Sequence, residues 1–433
     1  MAKRDAVLGT PSLLRKINCA HVLQTIRADG PLGRADVVRT TGLSKPTVYD
    51  VVEALIRDGY VRECPPSSKA DGGSASKPGP RAKLLEFRGD SAFLLGVDIG
   101  ADKVLAMLAD FAGNILGSHK QRVSADARRS GDALIREVVA VCRAALANGN
   151  TDLSKLDALV IATPGIVDPQ TGRVTFAGQL PDWEGIELGK RIAEFLDVPT
   201  FVENEVRLSA LAESWRGVAQ SADTIVLIQI GIGIGAGILL RGRLHCGAHG
   251  LAGEIGSLQC GGEELEENKT LGVFERVAGG HAFAQLARDA ATRPEGATLV
   301  DLVGGDVEKL DARVVFQAAR SSDPAAMGIV DTLTTRLARG IASVISVLDP
   351  DLLIIGGGLS QAGGALLDPL SAKVRALVPV APPMELSTLG DESAALGAVR
   401  LALEIVERRH FVTDLSLVEP AGPERKESFV TAS

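Results

Sequence analysis

Residues 224–237 read Thr-Ile-Val-Leu-Ile-Gln-Ile-Gly-Ile-Gly-Ile-Gly-Ala-Gly. The run of Ile, Val and Leu is typical of a strand buried on both faces, and the glycines after it indicate a tight turn. Ala92-Phe-Leu-Leu-Gly-Val-Asp-Ile-Gly100 has the same form and leads into a second predicted strand over 103–110. Two such segments predict a domain made of two halves.

Further segments along the chain have the same strand-and-turn character. They are a strand with a Pro-Gly turn over 158–168, a helix after Trp183, a strand end with two carboxylates and an amide over 199–205, a glycine-rich segment over 247–256, a buried strand over 352–358 and a helix over 393–398. The 433 residues are 45% hydrophobic but only 3% aromatic, and 48 are glycine. This composition favours an α/β, multidomain protein with aliphatic cores and many turns.

The N-terminal segment predicts a helix-turn-helix. Helical spacing of apolar residues covers 12–28, a short helix covers 34–41, Gly42 turns the chain, and Ser44 caps a helix that runs to Arg57. The second helix of such a pair enters the major groove of double-stranded DNA. The side chains expected to read bases are Ser44, Lys45, Thr47 and Tyr49, and those expected to pack inward are Val48, Val51, Val52 and Leu55. An ordinary helical hairpin is the alternative.

A β-hairpin with a long tip is predicted next. Strands over 59–64 and 82–87 would form a wing that spans residues 60–87. The basic residues placed to contact phosphates or the minor groove are Lys69, Lys77 and Arg81. A flexible linker is the alternative for the tip.

Charge is distributed unevenly along the chain. Residues 1–90 carry 15 Lys and Arg against 10 Asp and Glu, which is a net +5 and leaves −13 for the rest of a chain whose net charge is −8. A basic head on an acidic body is typical of a nucleic-acid-binding module joined to a ligand-binding module.

The sequence gives no sign of membrane insertion or export. No stretch approaches the roughly 20 apolar residues that a membrane span needs, and Met-Ala-Lys-Arg-Asp does not open a signal peptide. Five cysteines without C-x-x-C spacing argue against a disulfide framework. We therefore expect a cytoplasmic protein with reduced cysteines and no membrane partner.

The order of these motifs resembles the ROK family, which unites repressors, open reading frames of unknown role and sugar kinases. The resemblance covers about residues 12–405. It implies a winged helix-turn-helix followed by a two-lobed actin-like ATPase (ribonuclease H-like) domain. The implied domains are a DNA-binding domain over 1–90, an effector and dimerisation domain over 91–410, and a partly disordered tail over 411–433.

Several kinase residues of the family differ in this chain. The first phosphate loop is Asp98-Ile-Gly-Ala-Asp-Lys103, so Ala101 adds a methyl group and Asp102 a negative charge where phosphate should approach. In the second loop Ile232 replaces a hydroxyl donor. We therefore expect no kinase activity and no cofactor. The residues of the vestigial loops are Asp98, Gly100, Lys103, Gly231 and Gly233.

The catalytic-base motif of the family, Glu-Asn-Asp, is Glu203-Asn204-Glu205 here. The carboxylate is retained but moved by one methylene, and a shift of about 1 Å can cost about 10²-fold in rate. Glu205 as an ordinary polar residue at a strand end is the alternative. The resemblance implies an effector site formed by Asn204, Glu205 and Glu254, with Ser257 in place of a sugar-binding histidine.

The zinc site of the family is also altered. Family members hold a structural zinc with that histidine and several cysteines, whereas only Cys260 remains here, and one thiolate cannot form a tetrahedral site. We expect no zinc. His245, Cys246 and His249 lie nearby and are expected to be exposed loop residues.

Together these features predict a DNA-binding regulator, most simply a repressor of carbohydrate-utilisation genes, that senses a small sugar-like effector. It would bind operator DNA as a homodimer or a dimer of dimers. A differently shaped sugar, an oligosaccharide, a sugar phosphate and no tight ligand all remain open. The alternatives to the whole interpretation are an active sugar kinase with a DNA-binding head and a ligand-independent repressor.

Overall fold

The computed structural model describes residues 11–65, 83–176, 180, 182–231, 233–259 and 272–411. Their contacts divide them into two compact units. The first contains the described residues up to Phe93, together with Asp110–Asn114 and the residues from Leu403 onwards. The second contains Leu94–Ala109 and Ile115–Ala402. No helix among the described residues is both long enough and apolar enough to cross a bilayer.

The first unit is built around three helices and a small antiparallel sheet of order β1-β3-β2. Its elements are α1 Pro11–Asp29, β1 Leu32–Gly33, α2 Arg34–Thr41, α3 Lys45–Arg57, β2 Val61–Cys64 and β3 Leu84–Phe87. This confirms the predicted winged helix-turn-helix. The two wing strands are shorter than predicted, and β1 was not predicted because two residues are too few to show a period.

Local sequence explains how α2 passes into α3. Gly42 ends α2 with φ +68°, a left-handed conformation that glycine adopts at little cost. The Ser44 side chain then accepts the Thr47 backbone N–H and caps α3. The residues predicted to pack inward are all buried, namely Val48, Val51, Val52 and Leu55. Burial of this apolar face determines which side chains of α3 are exposed.

The second unit contains two five-stranded sheets with the same plan. Their strand orders are β10-β7-β4-β5-β6 and β13-β12-β11-β14-β15. The strands are β4 Phe93–Ile99, β5 Lys103–Asp110, β6 Ile115–Arg122, β7 Leu156–Thr163, β8 Ile166–Val167, β9 Val174–Thr175, β10 Thr200–Asn204, β11 Ile225–Ile230, β12 Ile234–Leu240, β13 Arg243–Leu244, β14 Leu352–Gly356 and β15 Met384–Leu386. Strands β8 and β9 form a separate ribbon.

Each sheet combines parallel and antiparallel pairs, and in the first sheet β10 is parallel to β7 and β5 is antiparallel to β6. In the second sheet β11 is parallel to β14 and antiparallel to β12. The helices are α4 Gly131–Asn148, α5 Leu188–Leu196, α6 Glu205–Arg216, α7 Val273–Ala278, α8 Gly280–Ala291, α9 Ala297–Leu302, α10 Ala312–Arg320, α11 Pro324–Leu348, α12 Gly364–Leu377 and α13 Ser393–His410. The repeated plan confirms the predicted two-lobed α/β domain.

Helix α6 packs closely against two glycines. A methyl group at Gly397 of α13 would overlap the Leu208 carbonyl oxygen, and one at Gly237 of β12 would meet the Val206 carbonyl. Since α6 begins at Glu205, these contacts place the start of the helix relative to β12 and α13.

We expect Gly397→Ala to lower the free energy of unfolding by about 2 kcal/mol, because the added methyl forces α6 and α13 apart. Gly328→Ala in α11 is the matched control, since a methyl there has open space around it and should stabilise the helix by about 0.5–1 kcal/mol. Urea unfolding of both variants measures the difference. Equal midpoints would show that the α6–α13 contact tolerates a side chain.

Candidate DNA-binding face and effector site

The N-terminal turn of α3 presents the predicted base-reading side chains. Ser44, Lys45 and Tyr49 are exposed, and Tyr49 is 51% accessible. The Ser44 hydroxyl lies 2.8 Å from the Thr47 hydroxyl as well as accepting the Thr47 N–H, so these two residues hold the first turn in shape. Lys45 and Tyr49 are therefore the side chains best placed to reach outward.

Sequence reasoning missed the residue that organises this face, Arg34. Its guanidinium donates to Glu53 of α3 at 2.7 Å and pairs with Glu63 of β2 at 2.8 Å. Its central carbon lies 5.6 Å from the centre of the Tyr49 ring, a cation–π distance. Glu63 also pairs with Lys83, and these two cations lower the pKa of its carboxyl. Arg34 thus ties the recognition helix to the wing strands.

The basic wing-tip residues Lys69, Lys77 and Arg81 lie outside the described residues. Their contacts with DNA remain a prediction.

In the second unit, two of the predicted effector residues, Asn204 and Glu205, lie where β10 ends and α6 begins. The Asn204 side chain accepts the N–H groups of Val206 and Arg207 and donates to the Gly165 carbonyl at 2.9 Å. Asn204 is therefore an N-cap and an organiser of the site. Glu205 is the first residue of the helix. Its carbonyl accepts from the Ser209 hydroxyl, but its carboxyl group has no hydrogen-bond or ion-pair partner among the described residues.

Four acidic side chains surround this point, and we call Asp98, Glu205, Glu254 and Glu275 the carboxylate cluster. Burial, with Asp98 and Glu254 nearby, raises the pKa of Glu205 to about 8. Burial raises the pKa of Asp98 to about 6, against the opposing effect of Lys103. The Glu254 side chain is accessible, yet the surrounding protein removes part of its hydration and raises its pKa. The cluster therefore carries less negative charge at neutral pH than its composition suggests.

Glu275 was not singled out from the sequence. It lies in α7, and its carboxylate packs 3.0 Å from the positions where side chains at Gly233 and Gly256 would begin. Burial and the neighbouring Glu254 raise its pKa. The only sequence signal was its position shortly after the acidic stretch Glu-Glu-Leu-Glu-Glu at 263–267, whose charges are typical of a solvated surface.

The lysine of the first predicted phosphate loop already has partners within the protein. Lys103 donates to the Asp391 carbonyl at 2.7 Å and lies 3.4 Å from the Asp391 carboxylate and 3.9 Å from that of Asp98. The repulsive charge expected of Asp102 is paired with Arg128 at 2.8 Å. Gly100 makes the tight turn, donating its N–H to the Lys103 carbonyl. In the second loop the Gly231 N–H donates to Gly233, and Ile232 lies outside the described residues.

The remaining candidates lie in the segment before and after Glu254. Ser257, His245 and His249 are exposed. Cys246 is not the exposed loop residue that was expected, because it is half-buried and its thiol donates to Glu203 at 3.4 Å. In the described part of the chain no three or more His, Cys, Asp or Glu side chains are grouped so that they could hold a metal ion, and Cys260 lies outside that part.

Two family matches accompany this geometry. Residues 20–65 match the IclR helix-turn-helix domain, and residues 94–405 match the ROK family. The chain belongs to the ROK family. The ROK match spans both five-stranded sheets, and the helix-turn-helix match runs from the middle of α1 to the end of β2.

Similar ROK proteins fall into two groups by coverage. The xylose repressor of Caldicellulosiruptor bescii is 24% identical and aligns over 92% of this chain and 98% of its own. A ROK family transcriptional regulator of known structure, homologous to Escherichia coli Mlc, is 25% identical. The match covers 92% of this chain and 98% of the regulator, with a TM-score of 0.74. The ROK glucokinase of Streptomyces griseus, solved with glucose and AMPPNP, is 27% identical. The match covers 72% of this chain and 100% of the glucokinase, with a TM-score of 0.62.

The raised pKa of Glu205 predicts a pH-dependent stability. Between the ordinary pKa of 4.5 and the folded value of about 8, the folded protein holds a proton that the unfolded chain has released, so stability falls as pH rises. Glu205→Gln should flatten this slope and stabilise the protein at pH 8 by about 2 kcal/mol, a value reduced for partial solvent exposure. Urea unfolding at pH 5.5 and 8 measures it, with exposed Glu295→Gln as control. A parallel pH slope in wild type and Glu205→Gln would contradict the assignment.

Proposed function

We propose that this protein is a DNA-binding transcriptional repressor of sugar-utilisation genes, whose ROK domain binds a sugar-like effector and has no kinase activity. The observation that carries the proposal is the pattern of coverage. A complete glucokinase accounts for 72% of this chain, whereas ROK regulators account for 92% of it, winged helix included. The chain thus has the architecture of the regulators.

The DNA-binding step uses the outward side chains of α3. With Ser44 and Thr47 shaping the first turn, Lys45 and Tyr49 enter the major groove, and the wing residues Lys77 and Arg81 contact phosphates. One chain carries one such helix, so a palindromic operator is bound by a homodimer or a dimer of dimers. The proposed domain limits are 1–90 for DNA binding, 91–410 for effector binding and dimerisation, and 411–433 for the tail.

The effector site is the carboxylate cluster with Asn204 and Ser257. Carboxyl groups of raised pKa serve both as acceptors and, when protonated, as donors, which suits the hydroxyls of a sugar. Asn204 contributes by holding α6 in place. Effector binding then changes the spacing of the two winged helices and releases the operator.

Loss of kinase activity follows from the first phosphate loop. A kinase needs a cation that stabilises the negative charge of the phosphoryl group while it is transferred from ATP to the sugar. Lys103 is held by Asp391 and Asp98, and a triphosphate would have to displace both contacts. One observation favours the alternative of an active kinase, namely that the pKa of Glu205 near 8 would suit a general base.

Two assays on the full chain distinguish these functions. Binding to the DNA upstream of its own gene should be specific and should weaken steeply with salt, because phosphate contacts release counterions. ATP turnover in the presence of D-glucose, D-xylose or N-acetylglucosamine should stay at background. Sugar-dependent ATP hydrolysis without specific DNA binding would refute the repressor function and support an active kinase.

A further inference from the structure

Arg207 is a fully buried arginine, 1% exposed, in the first turn of α6. A guanidinium stays protonated even when buried, so its partners must satisfy it. One terminal nitrogen lies 2.6 Å from a carboxylate oxygen of Glu203, and the other donates to the backbone carbonyl of Gly250. Glu203 lies 4 residues from Arg207 in sequence, whereas Gly250 lies 43 residues away, so Arg207 joins two separate segments.

The first segment is the β10–α6 junction, which carries Asn204 and Glu205. The second is residues 245–254, which end at Glu254 and which we call the effector loop. The effector loop is attached twice to the buried ion pair. Its Gly250 carbonyl accepts from Arg207, and its Cys246 thiol donates to the second carboxylate oxygen of Glu203.

The backbone of Gly250 can make this contact only without a side chain. Its φ is +71°, and a methyl group there would overlap the Val167 carbonyl oxygen. Close packing on one side and Arg207 on the other therefore fix the middle of the effector loop. The positive charge of Arg207 also favours the ionised form of Glu254, opposing the effect of burial on its pKa.

We propose that Arg207 is a positioning residue that couples the effector loop to the β10–α6 junction, so that Glu205 and Glu254 face one effector together. This inference rests on the proposed function of the site. Arg207 does not touch the effector; it sets the distance between the two groups that do. Losing it should free the effector loop while leaving operator binding intact.

The first test measures the effector loop directly by hydrogen–deuterium exchange in the full chain. Arg207→Met alone would leave the buried Glu203 carboxylate without its positive partner, so the Glu203→Gln/Arg207→Met double variant is the main probe. We expect amides of the effector loop, such as those of Ala252 and Glu254, to exchange at least 10-fold faster than in wild type. Exchange in α11 should not change, and Arg207→Lys should restore part of the protection.

The second test measures function in the same variants. The dissociation constants for D-glucose, D-xylose and N-acetylglucosamine should rise at least 10-fold for whichever sugar binds wild type, with operator affinity within 2-fold. Unchanged effector-loop exchange in the double variant, or equal acceleration in α11, would overturn the inference. A wild type that binds no operator would refute the proposed function, while the exchange result would still decide whether Arg207 positions the loop.

Discussion

The Lys45→Ala/Tyr49→Ala variant is expected to bind its operator about 100-fold more weakly than wild type. Both side chains project from the first turns of α3, where Ser44 and Thr47 are occupied with capping. Loss of a base contact costs about 1–3 kcal/mol, and loss of a phosphate contact also lowers the salt dependence by about one counterion. Fluorescence anisotropy with labelled operator at several salt concentrations measures both.

The matched control for this variant is Arg57→Ala. Arg57 is also an exposed cation of α3, but it lies twelve residues further on, about 18 Å along the helix axis. Its neutralisation should change operator affinity by less than 3-fold. Comparable losses in the two variants would mean that general charge, and not the N-terminal turn of α3, governs recognition.

The Glu254→Ala variant is expected to raise the sugar concentration needed for operator release by about 50-fold. Removing a charged hydrogen-bonding partner of a ligand costs about 1.5–3 kcal/mol. Operator affinity without sugar should not change, because Glu254 lies in the second unit and has no role in the DNA-binding face. Titration of the operator complex with the inducing sugar gives the midpoint.

The exposed Glu295, on a short turn before α9, provides the control with the same loss of charge. Glu295→Ala should release DNA at the wild-type sugar concentration. If Glu254→Ala also does so, the effector does not contact Glu254.

Sequence predicted the elements whose signals are local. The bounds of α2 and α3, the Gly42 turn and the Ser44 cap all follow from neighbouring residues, and the structure confirms them. The alternating strand-and-glycine segments likewise predicted the two lobes, because the runs of Ile, Leu and Val that form β11 and the Leu and Ile residues of β14 are unambiguous.

The relationships that sequence could not predict are those between distant residues. Arg34 meets Glu63 across 29 positions, and Lys103 meets Asp391 across 288. An arginine such as Arg207 gives no sign in the sequence that it is buried, because charged side chains are usually exposed. Such pairings depend on how the sheets and helices pack, which local patterns do not encode.

Operator release by a sugar tests the central claim most directly. The full chain, bound at physiological salt to DNA from upstream of its own gene, is titrated with D-glucose, D-xylose, N-acetylglucosamine and their phosphates. The account predicts specific binding that one of these compounds reverses, with no ATP required. Specific binding that none of them alters would contradict the sensor and leave a repressor that acts without a sugar ligand.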